Sequence, residues 1–303
     1  MESQRLRHFI AVADHGGFTA AAQAVYVSQP ALSLAVKELE AELGAQLFTR
    51  TGRQVRLTAA GEALLGPARQ VVRDLDTGQA AVAAVIGLDA GSLSLACLPT
   101  LVADPVAPLV GAFRRAHPGV RIELAAPEDT GDLFDLVASG TCELGVTEAH
   151  GVPTALRAHT LGRQSLVLIL PPDTQTTRRT RKIPLAQLAG MPLVVAPPGT
   201  STRRLLDEGF AAAGVQPSVA VVTAQRDAIL PLVIAGAGAA LVPRALARTA
   251  QGLGAAVARP DPPIERELAL VYRAGPLSPA AARFTDLATA TQKPARQPAQ
   301  RAH

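Results

Sequence analysis

The chain has 303 residues, 48% of them hydrophobic, and a net charge of +4 from 29 basic and 25 acidic side chains. That is enough apolar material for two sizeable cores, while no apolar run approaches the roughly 18 residues of a membrane span, so membrane-spanning classes are excluded. Three of the positive charges, Lys293, Arg296 and Arg301, sit in an acid-free, Pro/Gln/Ala-rich tail at 292–303 that is expected to be disordered, so the overall basicity says little about partners. The amino terminus opens on charged residues and a helical pattern, without the basic start, apolar stretch and cleavage site of a secretion signal, and a cytoplasmic location is expected.

Leu6, Phe9, Ile10 and Ala13 recur at helical spacing and predict a first helix that ends at His15-Gly16-Gly17. Thr19 is the expected cap of a short second helix over 20–25, and its run of alanines lets another helix approach closely. Tyr26-Val27-Ser28 then turns the chain into a third helix capped by Ser28, with Gln29 and Pro30 in its first turn. Leu32, Val36 and Leu39 form its inner face, leaving Gln29, Ser33 and Lys37 outward. A helix with hydrogen-bonding side chains at an exposed N-terminus is what major-groove reading requires, and Gln29 matches adenine. The Ser28 and Thr19 hydroxyls and the first-turn amides suit phosphates. Segments 46–50 and 54–58 frame Thr51-Gly52-Arg53 as a hairpin tip, which puts Arg50 and Arg53 where a wing meets backbone or minor groove. A plain three-helix core with solvated charges is the alternative.

The residues Leu6-Arg7-His8-Phe9, Gly17-Phe18-Thr19-Ala20-Ala21-Ala22, Val27-Ser28-Gln29-Pro30-Ala31-Leu32-Ser33, Leu39-Glu40, Leu43-Gly44, Leu47-Phe48, Arg50 and Leu57-Thr58-Ala60-Gly61 together resemble the winged helix-turn-helix of LysR-type transcriptional regulators. The resemblance implies that Gln29, Pro30 and Ser33 lie at the groove, Thr19, Ser28 and Lys37 near the DNA backbone, and Arg53 on the wing. Leu34 stands where that family usually has arginine, so one contact is missing and operator preference differs.

From Thr58 a long helix is predicted over 59–88, with Leu64, Ala68, Val71, Leu75, Gly78, Val82 and Val85 at the alternating 4, 3 spacing of a two-stranded coiled coil. Arg69, Gln70, Arg73, Asp74, Asp76 and Gln79 on its other faces fit a paired, partly exposed helix. The expected consequence is a dimer that reads two half-sites of a dyad operator in double-stranded DNA. By resemblance this is the family's linker helix, and the working assembly is a tetramer built from dimers that contacts RNA polymerase.

After Gly87 to Gly91 the pattern changes to short apolar strands alternating with amphipathic helices, which predicts an α/β domain with parallel sheets. Strands are expected at 93–98, 120–125, 143–147, 166–170, 192–196, 219–223, 239–242 and 268–272. The predicted architecture is therefore multi-domain: an all-α winged helix-turn-helix at 1–58, the linker at 59–88, and a two-lobed α/β effector-binding domain at 92–291. Resemblance divides the last into 92–162 plus 267–291 and 163–266, with a small-molecule effector between the lobes.

Ligands of α/β sheets sit at the carboxyl ends of strands, beside helix N-termini. Four loops qualify: Pro99 and Thr100; Thr147 and Glu148; Gly199, Thr200, Ser201 and Thr202; and Gln225. Singly each loop reads as helix capping; as a set, matched to the family's ligand loops, they form the candidate effector site. Arg203 is a candidate partner for a carboxylate, whereas Glu148 opposes an anion unless it meets a cation or hydroxyl. Arg178-Arg179-Thr180-Arg181-Lys182 reads as a solvated loop, or else as a surface for an acidic partner or the other dimer.

Enzyme chemistry has little footing. The six histidines lie far apart, HExxH and paired cysteines at metal spacing are absent, and Gly236-Ala237-Gly238 precedes a strand where a nucleotide loop would follow one. No metal or cofactor is expected. Cys97 and Cys142 read as buried thiols, with a redox pair as the alternative. Two competing functions remain at this point: a solute-binding or transport module without DNA binding, and an enzyme carrying a DNA-binding head.

Overall fold

The computed structural model describes residues 2–51, 54–85, 91–172, 174 and 182–290. The expected wing tip at Gly52-Arg53, the Arg178–Arg181 part of the basic run, and the tail therefore lie outside the described residues.

Three helices, α1 (Ser3–His15), α2 (Phe18–Ala24) and α3 (Gln29–Leu43), are followed by the antiparallel hairpin β1 (Phe48–Thr51) and β2 (Gln54–Leu57). Pairing of Thr51 with Gln54 puts Thr51 in the strand rather than at the tip. The head closes around Leu6, Phe9, Val12, Ala21, Ala22, Leu32, Val36, Leu39, Leu47 and Phe48. Val12 takes a central place, while Ile10 and Ala13 are only partly buried. The cap of α2 differs from the expected one: Gly17 occupies the N-cap position and Thr19 lies exposed one residue into the helix. Ser28 does cap α3, its hydroxyl accepting the Ala31 amide at 3.3 Å.

Helix α4 (Ala59–Val85) is held to the hairpin at its start, where Thr58 N donates to Leu47 O at 2.9 Å and the Thr58 hydroxyl accepts the Gly61 amide at 3.1 Å. Two of the expected seam residues are consumed within the chain: Ala68 is buried in the head core and Leu64 packs against it. Val71, Leu75 and Val82 remain exposed at 39%, 45% and 64%. The polar side of α4 is less solvated than its composition implies. Arg69 is 8% exposed, donating to Asp14 of α1 and to Thr141, and Arg73 donates to the Gly140 carbonyl.

The α/β region runs β3 (Gly91–Cys97), the short turn α5 (Pro99–Leu101), α6 (Ala107–Ala116), β4 (Val120–Ala125), α7 (Thr130–Ala138), β5 (Leu144–Glu148), β6 (Leu156–Leu170), β7 (Lys182–Pro184), β8 (Pro192–Val195), α8 (Ser201–Ala212), β9 (Ser218–Val222), α9 (Ile229–Ile234), β10 (Ala240–Pro243), α10 (Ala247–Gly252), β11 (Ala256–Asp261), β12 (Glu265–Arg273) and α11 (Pro279–Ala290). The sheets are mixed, not parallel throughout. β3 pairs parallel with β4 and β5, and β8 with β9, but β6 is antiparallel to β10, β11 and β12, and β12 is antiparallel to β5. The reason is β6, 15 residues long, whose first part pairs with β12 and whose last five residues pair with β10 and β11. Only its apolar end, 166–170, has the unbroken hydrophobic run that marks a buried strand; its polar first part, RAHT, carries no such signal. One core lies around Leu93, Leu101, Phe113, Leu133, Leu144, Leu270 and Phe284; two others, around Leu168, Leu193 and Phe210 and around Ile169, Val194 and Val233, flank the far end of β6.

Cys97 and Cys142 are both free and buried. Burial pushes their thiols up, to about 12 and about 11, so both are held protonated and unreactive at neutral pH. Gly236, with φ of 86°, ends α9, whereas Gly238, with φ of 147°, lies where a Cβ would strike the Pro192 carbonyl oxygen and so serves the approach to β8.

Gly61 illustrates how tightly α4 is seated. A Cβ there would strike the Leu47 carbonyl oxygen and lie 2.8 Å from Leu57 Cδ2. Helix propensity favours alanine over glycine by about 1 kcal/mol, but the Leu47 carbonyl is fixed by Thr58 and cannot withdraw freely. Gly61→Ala is therefore expected to lower the thermal midpoint of the full chain; an unchanged or raised midpoint in a thermal melt would show that this contact yields.

Candidate nucleic-acid interface and ligand pocket

Along the solvent side of the head, Thr19, Ser28, Gln29, Pro30, Leu34 and Lys37 are all exposed, and Ser33 is half-buried between them. Gln29 and Pro30 are the first two residues of α3, so the Gln29 side chain and the free amides of that turn share one end of the helix. The acids of α3 do not crowd this face. Glu38 and Glu42 meet Arg5 at 3.2 and 3.3 Å, and Glu40 accepts the amides of Leu47 and Phe48 at 2.8 and 3.2 Å. Glu40 thus ties the recognition helix to the hairpin strand, a role its sequence position does not reveal. Tyr26, with a left-handed φ of 56° and 94% exposure, projects beside the same helix end. The sequence marks it only as part of the turn; an aromatic at a left-handed turn position is the available signal. Arg50 lies on β1, and its side chain, like Arg53, is outside the described residues.

The second candidate site is a cavity of about 110 Å³. Pro99, Thr100 and Ala103 line one side; Val194, Thr202, Arg203, Leu206, Arg226, Ile229, Leu241 and Leu246 line the other. Of the sequence-predicted residues, Pro99, Thr100, Thr202 and Arg203 reach it. The Thr202 hydroxyl oxygen is buried without a hydrogen-bond partner among the described residues. Gly199 is exposed, Thr200 turns its hydroxyl back to Pro197 O at 2.9 Å, and Gln225 is exposed outside the lining. Its neighbour Arg226 points in instead, half-buried and without hydrogen bond or ion pair among the described residues; burial lowers its pKa against the opposing pull of Glu128. Arg203 is occupied, its Nε donating to Asp207 at 2.8 and 2.9 Å.

Beside the cavity, Glu148 and Ser201 join a buried polar cluster centred on Arg266, a residue that the sequence pattern does not single out. Arg266 is 4% exposed; its Nε donates to Gln164 Oε1 at 2.8 Å, and its Nη1 to the Ser201 hydroxyl at 2.6 Å and the Thr100 hydroxyl at 3.2 Å. Glu148, 6% exposed, lies 3.4 Å from Arg266 and also accepts from Ser201 and Arg204. Its charge is therefore offset by two guanidinium groups and does not confront the cavity. Thr147 is fully buried, its hydroxyl unpartnered among the described residues. Burial lowers the Arg266 pKa, and Glu148 opposes that shift.

The cluster joins β5, α8, β12, β6 and the turn after β3, so its loss should be felt broadly. Arg266→Met strips a buried carboxylate of its buried partner and is expected to cost about 3 kcal/mol. Arg204→Met removes a side chain that is 41% exposed and screened by solvent, and should cost under about 1 kcal/mol. Urea unfolding of the two variants checks this; equal losses would show that Arg266 is not the centre of the cluster.

Residues 3–62 match the bacterial regulatory helix-turn-helix protein, lysR family, and residues 86–293 match the LysR substrate binding domain. The chain is 31% identical over 297 residues to the HTH-type transcriptional regulator TfdS of Cupriavidus pinatubonensis, covering 95% of this chain and 98% of that one. It is 33% identical over 285 residues to the HTH-type transcriptional regulator IlvR of Caulobacter vibrioides, covering 92% and 94%. Full-length CbnR complexed with its target DNA is a structural neighbour at TM-score 0.65 and 27% identity, covering 96% of this chain and 100% of that one. A full-length OxyR variant from Pseudomonas aeruginosa, at TM-score 0.74 and 23% identity over 95% and 94% of the two chains, shares the fold. The chain belongs to the LysR family and is a DNA-binding transcriptional regulator with a substrate-binding domain, not an enzyme.

Proposed function

We propose that this regulator works as a cytoplasmic homodimer or tetramer that reads a dyad operator through paired heads and changes its DNA grip when a small molecule enters the cavity between the lobes. The observation that carries the reading is the pairing of a recognition face led by Gln29 and Lys37, whose neighbouring acids are engaged elsewhere, with a mostly apolar cavity lined by residues of two cores. Gln29 and Ser33 contact bases, Pro30 packs into the groove, and Thr19, Ser28, Lys37, Arg50 and Arg53 hold phosphates. Leu34, 58% exposed, offers only an apolar contact where relatives of this type usually carry arginine.

The exposed stripe of Val71, Leu75 and Val82 joins two copies, which sets two recognition helices about one DNA turn apart or a multiple of it. The division into a head at 1–58, a linker at 59–88 and lobes at 92–162 plus 267–291 and at 163–266 follows from this reading, with the β6 and β12 crossings as the hinge between lobes. The effector is compact and mostly apolar, with one anionic group for Arg226 and a hydrogen-bonding group for Thr202 and Thr100. Effector binding shifts the population of lobe arrangements, which alters head spacing and contact with RNA polymerase.

A gel shift with the intergenic region beside its own gene tests the DNA half of the proposal; the absence of a salt-sensitive, sequence-selective complex would overturn it. In the same assay Gln29→Ala is expected to relax base preference, losing about 1–3 kcal/mol of discrimination. Arg53→Ala is expected to weaken all sequences alike and to lower the salt slope by about one. Identical profiles for the two variants across operator mutants would refute this division of labour.

A further inference from the structure

We propose that the outer groove between α10, β11 and β7 is a second ligand site, one that takes a small di- or polyphosphate. Two adjoining concavities, of about 410 and 220 Å³, share Val167, Arg244 and Arg259 in their walls and so form one groove. The first is lined by Arg244, Arg248 and Arg259 with no acid; the second adds Lys182 and a single carboxylate, Glu265, which is already hydrogen-bonded to the Ser165 hydroxyl at 2.8 Å.

None of the four cations makes an ion pair among the described residues, and all four are exposed. Their placement concentrates like charge. Arg259 and Lys182 are direct partners in the β11–β7 ladder, an arrangement that repels when both residues carry the same sign. Arg244 and Arg248 are one helical turn apart in the segment that leads into α10, and Gln251 continues the same face. The floor between these two rows is apolar, made by Val167, Val257 and Ala258.

A solvated surface would intersperse acids among such cations, as α3 and α8 do. Among the described residues no carboxylate pairs with these cations around the concave floor, which fits an anion with several oxygens that can be held by two guanidinium forks at once. A concavity of this size suits a phosphorylated metabolite better than a flat run of DNA backbone. The groove is lined by different residues from the cavity that holds Thr202 and Arg226, so this site is independent of the effector reading above.

Isothermal titration of the full-length protein with inorganic pyrophosphate, at about 0.15 M ionic strength, tests the proposal. Saturable binding is expected in the wild type, weakened about tenfold or more in Arg244→Ala/Arg259→Ala. It should persist in Lys37→Ala, which alters the recognition helix, and in Arg226→Ala, which alters the effector cavity. No saturable binding in the wild type would overturn the site. So would equal binding by the groove variant, or a groove variant that loses operator DNA affinity while keeping pyrophosphate.

Discussion

The rest of the structure depends on the phase of α4. At about 100° per residue, a helix that buries Leu64, Ala68 and the partly buried Val72 in the head carries Val71, Leu75 and Val82 farther along nearly the same side and presents Arg69 and Arg73 on another. Both sides are used. The start of the first completes the head core and its continuation lies exposed as an apolar stripe, while the second docks on the substrate-binding domain through Thr141 and Gly140. Arg69 makes the coupling explicit, since one guanidinium meets Asp14 of α1 and Thr141 of the domain beyond. Any rotation of α4 against that domain must break one of these contacts or carry the head with it.

The Arg266 cluster plays the matching part within the substrate-binding domain. A buried ion pair is a poor source of net stability, because the desolvation of both charges offsets most of their attraction. What it provides is orientation: Thr100, Glu148, Ser201 and Gln164 come from separate elements and meet at one guanidinium. Since Thr100 also lines the cavity, a molecule that shifts this side chain shifts the cluster. That gives an effector a physical route to the relative placement of the lobes, and through Arg69 and α4 to the heads.

Local chemistry is what the sequence expresses well. The Ser28 cap, the Gln29-Pro30 first turn, the apolar spacing of α3 and the two strands flanking the wing are short-range features whose signals lie within a few residues, and each appears where the pattern puts it. Long-range features are not legible. Arg266 sits in the run Glu265-Arg266-Glu267, which reads as a solvated strand edge, and only the β6–β12 pairing buries it beside Gln164. The α4 repeat reads as a single dimer seam because spacing does not reveal that Leu64 and Ala68 already have partners in the head. Gln225 belongs to a ligand loop by its position after a strand, but the 3₁₀ turn at Arg226–Ala228 directs its neighbour Arg226 inward instead. Glu148 stands out in the sequence as a problem for an anion; its resolution by Arg204 and Arg266 requires residues 56 and 118 positions away.

In the proposed assembly the exposed side of α4 holds two heads together so that they read one operator. Sedimentation velocity on Val71→Glu/Leu75→Glu, paired with operator titrations on fragments carrying one or two half-sites, tests it most directly. The variant is expected to stay folded, to sediment as an assembly half the size of the wild type or smaller, and to bind both fragments equally, about a hundredfold or more below the wild type on the two-site fragment. A variant that keeps the wild-type sedimentation and the wild-type preference for two half-sites would contradict it.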